Sequence, residues 1–201
     1  MKVLKFGGTS VGTVESLSHV KRIVESLDEQ VIVVVSALGG ITDQLITTAQ
    51  MASKGDSSYL GNYAKIIERH NSVIDGMVPA EFQLDVRSIT GPLLEELGNI
   101  YRGVSLIKDL SPRTLDIIVS YGERLSSVII SRVIDGAAYF DSRNFIKTIR
   151  QFNKHIVDFD ATGDLIHKTF DDFSGKVAVI PGFISSDRDS GDITNLGRGG
   201  S

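Results

Sequence analysis

Val31-Ile32-Val33-Val34-Val35-Ser36-Ala37-Leu38-Gly39-Gly40 is the stretch on which the fold class turns. A continuous β-branched run with no polar alternation is the pattern of a parallel strand covered on both faces. It stops at Gly39-Gly40, and Ile41 to Met51 follows with helical spacing. The same order precedes it: Val3 to Phe6 is strand-like, Gly7-Gly8 ends it, and Leu17, Val20, Val24 and Leu27 recur at helical spacing. Two successive strand-glycine-helix steps predict an α/β fold on a mainly parallel sheet, with ligands gathering at the carboxyl ends of its strands.

From Ser57 to Gly136 helical spacing dominates, with breaks expected at Pro79, Gly91-Pro92 and Asp109-Leu110-Ser111-Pro112. Ser111 followed by Pro112 is a good helix start, because serine caps an orphan amide and proline sits where none needs a partner. That helix should run to about Asp135. Short strands are expected at Ala138 to Asp141 and Phe145 to Thr148, a helix over Asp160 to Phe173, and a buried strand over Val177 to Ile180 before Pro181-Gly182. Phe183 to Thr194 reads as a hairpin turning near Ser190-Gly191, with Asp187, Asp189 and Asp192 as turn residues, since the closing glutamate of a calcium loop is missing.

The 201 residues are 41% hydrophobic and 23% charged with a formal net charge of −4, an ordinary globular composition that excludes disorder as the main state and predicts one domain over residues 1–201. The acidic balance, without a Lys/Arg cluster, gives no basis for a nucleic-acid partner. No apolar run approaches the roughly 20 residues that span a bilayer, and Met1-Lys2-Val3 opens no signal-peptide core, so no membrane partner and a cytoplasmic location are expected. With no cysteine and with His19, His70, His155 and His167 dispersed, no metal site is expected. The glycine-rich Asn195 to Ser201 stretch would normally lead into a further element, so the chain reads as truncated.

Several constellations have the ingredients for chemistry. Lys5-Phe6-Gly7-Gly8-Thr9-Ser10 places a lysine at a strand end, bare backbone at the turn and two hydroxyls where a helix is expected to begin, which suits an anion. It is neither a Walker A loop nor a Gly-x-Gly-x-x-Gly pattern, and a tight turn with a serine cap explains it equally well. Ser36 to Asp43 repeats the arrangement, so that two glycine-rich strand ends could share one crevice, although Thr42 or Asp43 could simply open a helix. Gly122 costs a helix about 1 kcal/mol relative to alanine, which implies a close approach. Ser120, Glu123 and Ser127 share a face, making Glu123 a candidate for holding a substrate ammonium; a solvated charge or a partner for Arg124 is the alternative. Arg198, between Gly197 and Gly199, is suited to grip a carboxylate through paired hydrogen bonds, unless it is an ordinary surface arginine.

Lys5-Phe6-Gly7-Gly8-Thr9-Ser10-Val11, Val35-Ser36-Ala37, Thr42-Asp43, Ser120-Tyr121-Gly122-Glu123, Pro181-Gly182-Phe183 and Asn195-Leu196-Gly197-Arg198-Gly199-Gly200-Ser201 occur in the order and spacing of the aspartokinases, which the whole chain resembles. Phe140-Asp141-Ser142-Arg143 and Gly191-Asp192-Ile193-Thr194 are most similar to the bifunctional aspartokinase/homoserine dehydrogenases. The resemblance implies the amino-acid kinase fold, a three-layer α/β/α sandwich, here truncated before its nucleotide-binding half. It implies transfer of a phosphoryl group from ATP, with Mg2+, to the side-chain carboxylate of L-aspartate, opening lysine, threonine and methionine biosynthesis, in a homo-oligomer. Lys5 would neutralise the transferring phosphoryl group, and Gly7 and Gly8, with Thr9 and Ser10, would cradle phosphate. Thr42, Glu123 and Arg198 would orient aspartate, and Ser36, Phe183 and Ser201 would line the crevice. The family's catalytic aspartate and its nucleotide half would lie beyond Ser201, so the fragment itself is expected to be inactive. The rivals are a kinase of glutamate, acetylglutamate or a nucleoside monophosphate, and a non-catalytic regulatory or assembly module.

Overall fold

The computed structural model describes residues 1–151 and 154–196. Its elements are β1 (Lys2–Phe6), α1 (Val14–Glu25), β2 (Val31–Val35), α2 (Ile41–Ser53), α3 (Tyr59–Met77), α4 (Ala80–Ile107), α5 (Pro112–Val133), β3 (Ala137–Tyr139), a 3-10 turn (Ser142–Asn144), β4 (Lys147–Gln151), β5 (Lys154–Val157), α6 (Phe159–Phe170), β6 (Val177–Pro181), β7 (Ile184–Asp187) and β8 (Ile193–Asn195).

The valine-rich β2 lies inside an all-parallel sheet of order β1-β2-β6-β3. Its side chains alternate between two cores. Val31, Val33 and Val35, with Val177 and Val179 of β6, enter the larger core together with α1 to α5. Ile32 and Ala178 face a smaller one, where Phe145 and Phe170 are buried against Phe140 and Phe173. Each such buried aliphatic or aromatic side chain contributes about 1.5–3 kcal/mol relative to exposure. Helices on both faces make the expected three layers.

α5 is the helix against which the strand ends are set. Ser111 caps it by accepting from the amide of Thr114 at 3.1 Å, with Pro112 in the first turn. From Ile118 to Ser131 every residue is buried, polar ones included. That is tolerable because Ser120, Ser127 and Ser131 return their hydroxyls to the carbonyls of Ile117, Glu123 and Val128 within the helix.

Several expectations are corrected. Gly91-Pro92 does not break α4: both residues are exposed, and the missing amide falls opposite the exposed Ser88, where water can take the freed carbonyl. The buried stripe Val86, Thr90, Leu94, Leu97, Tyr101 and Val104 carries the helix through. The first helix begins at Val14 and not at Thr9-Ser10, because Thr13 and Ser16 form a reciprocal capping box. The strand expected at Phe145 to Thr148 starts at Lys147, after the 3-10 turn, and β5 was not foreseen. The late strands do not all rejoin the first sheet. At Phe183, φ is +64° and Ile184 donates to the carbonyl of Gly182 at 2.7 Å, a tight turn that sends the chain from β6 into a second sheet of order β5-β4-β7-β8. The β7-β8 hairpin matches its sequence reading: Asp187 accepts from the amides of Asp189 and Ser190, and Gly191 sits at φ +74°. Among the described residues no helix is long and apolar enough to cross a membrane.

His70 is fully buried on α3, with Nδ1 bonded to the carbonyl of Ile66 at 2.7 Å and Nε2 without a partner among the described residues. Burial lowers its pKa from 6.5 to about 4. The unfolded chain therefore binds a proton that the native state refuses, and native stability falls as pH drops from 6.5 to about 4. Replacing His70→Leu is expected to flatten that limb of a urea-denaturation stability profile; an unchanged slope would show that His70 does not set it.

Candidate active site

The carboxyl ends of β1 and β2 release two loops that touch through bare backbone. A Cβ on Gly8 would lie 3.1 Å from the carbonyl oxygen of Ala37, one on Gly12 2.9 Å from the carbonyl oxygen of Gly8, and one on Gly39 3.0 Å from that same oxygen. A side chain at Gly12 would force the backbone to shift, and one at Gly8 or Gly39 would be tighter than nearly all ordinary contacts. Gly7 and Gly40 are open, with nothing within 4 Å of a Cβ. The first loop is closed by the amides of Ser10 and Val11 on the carbonyl of Gly7, at 2.9 and 3.3 Å. From outside, Arg69 of α3 donates to the carbonyl of Gly12.

Around this contact the candidate residues fall as follows. Lys5 is exposed and has no carboxylate partner among the described residues. Thr9 is exposed and Ser10 half-buried, and both belong to the turn that precedes Thr13, the cap of α1. Ser36 donates its amide to the carbonyl of Phe6 at 3.1 Å and accepts from Ser126 Oγ on α5 at 2.8 Å. Thr42 is the second residue of α2, whose cap, Gly40 at φ +82°, provides no side-chain acceptor; the amide of Ile41 donates instead to the carbonyl of Leu38 at 2.9 Å.

Glu123 is 3% exposed. Its Oε1 accepts from the amide of Ala37 at 3.1 Å, while its Oε2 is buried without a partner among the described residues. Burial, opposed by the Ala37 amide, raises its pKa from 4.5 to about 7. The alternative pairing with Arg124 is not what forms: Arg124 lies over the Tyr121 ring at 4.3 Å and faces Glu96 at 3.6 Å. Gly122 explains how Glu123 reaches the loop, because a Cβ there would stand 2.7 Å from that of Ala37.

Phe183 is half-buried at the crossover between sheets. Gly182 donates to the carbonyl of Val35 at 2.8 Å, and Leu196 donates to that of Phe183 at 2.8 Å, so the chain leaving β8 is tied toward the end of β2. Arg198 and Ser201 lie outside the described residues. The structure thus joins Gly8, Ser36 and Glu123 through the loop around Ala37, with Phe183 beside the end of β2 and Lys5 one strand away. Sequence reading passed over Arg69 and the pair Asp116–Asn195. Neither has a local signal, since the contacts span 57 and 79 residues of chain.

The profile described as Amino acid kinase family matches residues 1–201. The chain is 30% identical over 218 aligned residues to Aspartokinase 1, chloroplastic, of Arabidopsis thaliana, covering 99% of this chain and 36% of that protein. It is 28% identical to Lysine-sensitive aspartokinase 3 of Escherichia coli (strain K12), covering 99% of this chain and 44% of that one. The crystal structure of E. coli aspartokinase III in complex with aspartate and ADP (R-state) is similar over 100% of this chain and 44% of that chain, with a TM-score of 0.87 at 27% identity. The chain therefore spans less than half the length of these relatives.

The Gly122 contact can be tested directly. Overpacking a filled site costs about 1–3 kcal/mol, against a gain of about 1 kcal/mol from replacing glycine by alanine in a helix. Gly122→Ala is expected to lower stability by about 1 kcal/mol, and adding Ala37→Gly to recover most of it. A Gly122→Ala protein more stable than the parent in chemical denaturation would show that the approach is not tight.

Proposed function

Because the chain belongs to the amino acid kinase family, we propose that it is the amino-acid-holding part of an aspartokinase, in which ATP phosphorylates the side-chain carboxylate of L-aspartate. The observation that carries this reading is the buried Glu123, with one carboxylate oxygen fixed by Ala37 and the other left for a donor. A free amino acid brings that donor as its ammonium. An acetylated substrate has no ammonium to offer.

In this reading Glu123 takes the ammonium and Arg198 a carboxylate, with Thr42 at the mouth of α2 and Ser36 and Phe183 lining the crevice. The acceptor is already a carboxylate, so no base has to remove a proton; catalysis reduces to in-line positioning and charge neutralisation. Lys5, at the end of β1, neutralises phosphoryl charge, and the amides of Gly7 and Gly8 take phosphate oxygens. The open space at Gly7 fits a phosphate drawn close to the backbone. Mg2+, arriving with ATP, would supply further neutralisation; the described residues include no cluster of three His, Asp or Glu that would hold it.

The raised pKa of Glu123 makes the proposal testable without turnover. Its folded value exceeds its unfolded one, so ionising Glu123 costs stability as pH rises from 4.5 to about 7. An ammonium beside it lowers the pKa again. Binding of L-aspartate near pH 7 is therefore expected to release a fraction of a proton, read as a dependence of calorimetric heat on buffer ionisation enthalpy. Glu123→Gln is expected to abolish that release and weaken L-aspartate binding by at least tenfold, while leaving stability at pH 8 equal or higher. Tighter binding of glutamate or N-acetylglutamate than of aspartate, or binding untouched by Glu123→Gln, would overturn the assignment.

A further inference from the structure

α3 is braced against the first glycine loop. Arg69, Val73, Gly76 and Met77 fall at i, i+4, i+7 and i+8, on one strip of the helix. At the far end of the strip a Cβ on Gly76 would lie 3.1 Å from Val14 Cγ2, and Met77 Sδ accepts from Ser18 Oγ at 3.6 Å, so α3 meets the start of α1 there. At the near end Arg69 donates to the carbonyl of Gly12, the residue before the Thr13 cap. The helix is itself held in place: His70 is fully buried, Tyr63 donates to the carbonyl of Leu94, and Arg87 of α4 donates to Asn71 at 2.6 Å.

Among the described residues Arg69 pairs with no carboxylate, and its hydrogen bond ends on the Gly12 carbonyl. Gly12 is buried, so that carbonyl needs a partner in any case. What lies on its other side gives the bond a longer reach. A Cβ on Gly12 would stand 2.9 Å from the carbonyl oxygen of Gly8 and 3.4 Å from Gly39 Cα, and one on Gly39 would stand 3.0 Å from that same oxygen. Two residues before Gly39, the amide of Ala37 bonds Glu123 Oε1 at 3.1 Å. Contacts thus run from α3 to α5 through Arg69, Gly12, Gly8 with Gly39, Ala37 and Glu123. The middle links are main chain on main chain, where no rotamer change can absorb a displacement.

We propose that Arg69 is a positioning residue for Glu123: by holding the Gly12 carbonyl it keeps the first glycine loop seated on the second, and so keeps the Ala37 amide on the carboxylate. Its consequence for binding rests on the proposed role of Glu123 in holding a substrate ammonium. A carboxylate that is to receive an ammonium must be both placed and ionised, and a fixed amide donor serves both needs. The reach and donors of Arg69 matter here more than its charge, because the group it holds is a neutral carbonyl.

The test follows the Glu123 carboxyl of the 201-residue chain by 13C NMR as pH is varied, with its resonance identified by loss in Glu123→Gln and the melting temperature taken in parallel. The Ala37 amide opposes the rise that burial imposes on Glu123, so a loosened amide lets its pKa climb further above about 7. Arg69→Met keeps the apolar stem and removes the donors; it is expected to raise the midpoint by at least about 0.5 pH unit. Arg69→Lys, which restores a donor at similar reach, is expected to return it to within about 0.2 pH unit of the parent. A rise of about 0.5–1 pH unit weakens L-aspartate about two- to fivefold in calorimetry at pH 7, and the gap narrows by about pH 8.5, where Glu123 is mostly ionised in both proteins. An arginine that only satisfies the Gly12 carbonyl would lower the melting temperature and leave the midpoint in place; that result in a folded Arg69→Met protein would overturn the positioning role. Arg69→Gln, shorter and uncharged, serves if Arg69→Met does not fold. A midpoint that moves in a folded chain to which L-aspartate does not bind would overturn the aspartokinase reading and uphold the link from Arg69 to Glu123.

Discussion

Gly8, Gly12 and Gly39 let two loops meet peptide against peptide, and the remaining geometry at the strand ends depends on that contact. Where β1 and β2 run parallel, their outgoing loops would ordinarily be held apart by side chains; here the carbonyl of Gly8 lies so close to Gly12 and Gly39 that a side chain on either would crowd it. The second loop is pressed down so that Ala37 rests on α5, where Gly122 yields the space. With the loop in that position, the amide of Ala37 meets Glu123. Four bare positions on three segments therefore act in series, and a side chain at any one is transmitted to the carboxylate. Glycine costs unfolded-state entropy at each position, which the two cores beneath must offset.

The same arrangement accounts for the electrostatics. α5 is buried along its middle, and a carboxylate on a buried helix is costly unless its oxygens are bonded. Its serines avoid that cost by bonding to the helix's own carbonyls; among the described residues Glu123 avoids only half of it. The unsatisfied half holds the carboxyl near neutrality in pKa, so a cation arriving there finds a partner already stripped of water. Arg69 donates to the carbonyl of Gly12 and Lys5 is exposed near the end of β1, so positive charge accompanies the first glycine loop while a carboxylate lies beneath the second.

What could be read from residues alone follows the range of the interactions. β2 was legible because a run of five β-branched residues has no other comfortable environment than a sheet covered on both faces, and the start of α5 because Ser111-Pro112 acts locally. Pro92 misled because its effect depends on which face of α4 it occupies, and that face is set by a stripe running from Val86 to Val104. The second sheet was hidden for a similar reason. Lys154–Val157 is mostly exposed and carries no apolar alternation, so only pairing with β4 makes it a strand. At the site, the glycines announced a close approach without saying to what. Glu123 was legible as a candidate, yet its bond to Ala37 bridges 86 residues and no spacing rule reaches that far.

α5 then acquires a role that its sequence does not advertise. It carries Asp116, which accepts from Asn195 at the end of β8, Gly122, which admits the second loop, Glu123, which bonds that loop, and Ser126, which bonds the carbonyl of Ser36. Three parts of the site coming from distant regions of the chain are thus referred to one rigid rod with a rise of about 1.5 Å per residue. For the transfer proposed above, whose nucleophile would need no deprotonation, distance and alignment are most of what a protein can contribute. A helix buried on all sides by well-packed side chains is the element least free to tilt or slide. Placing the contacts on α5, and leaving the loops themselves nearly without side chains, puts the precision in the core and the access at the surface.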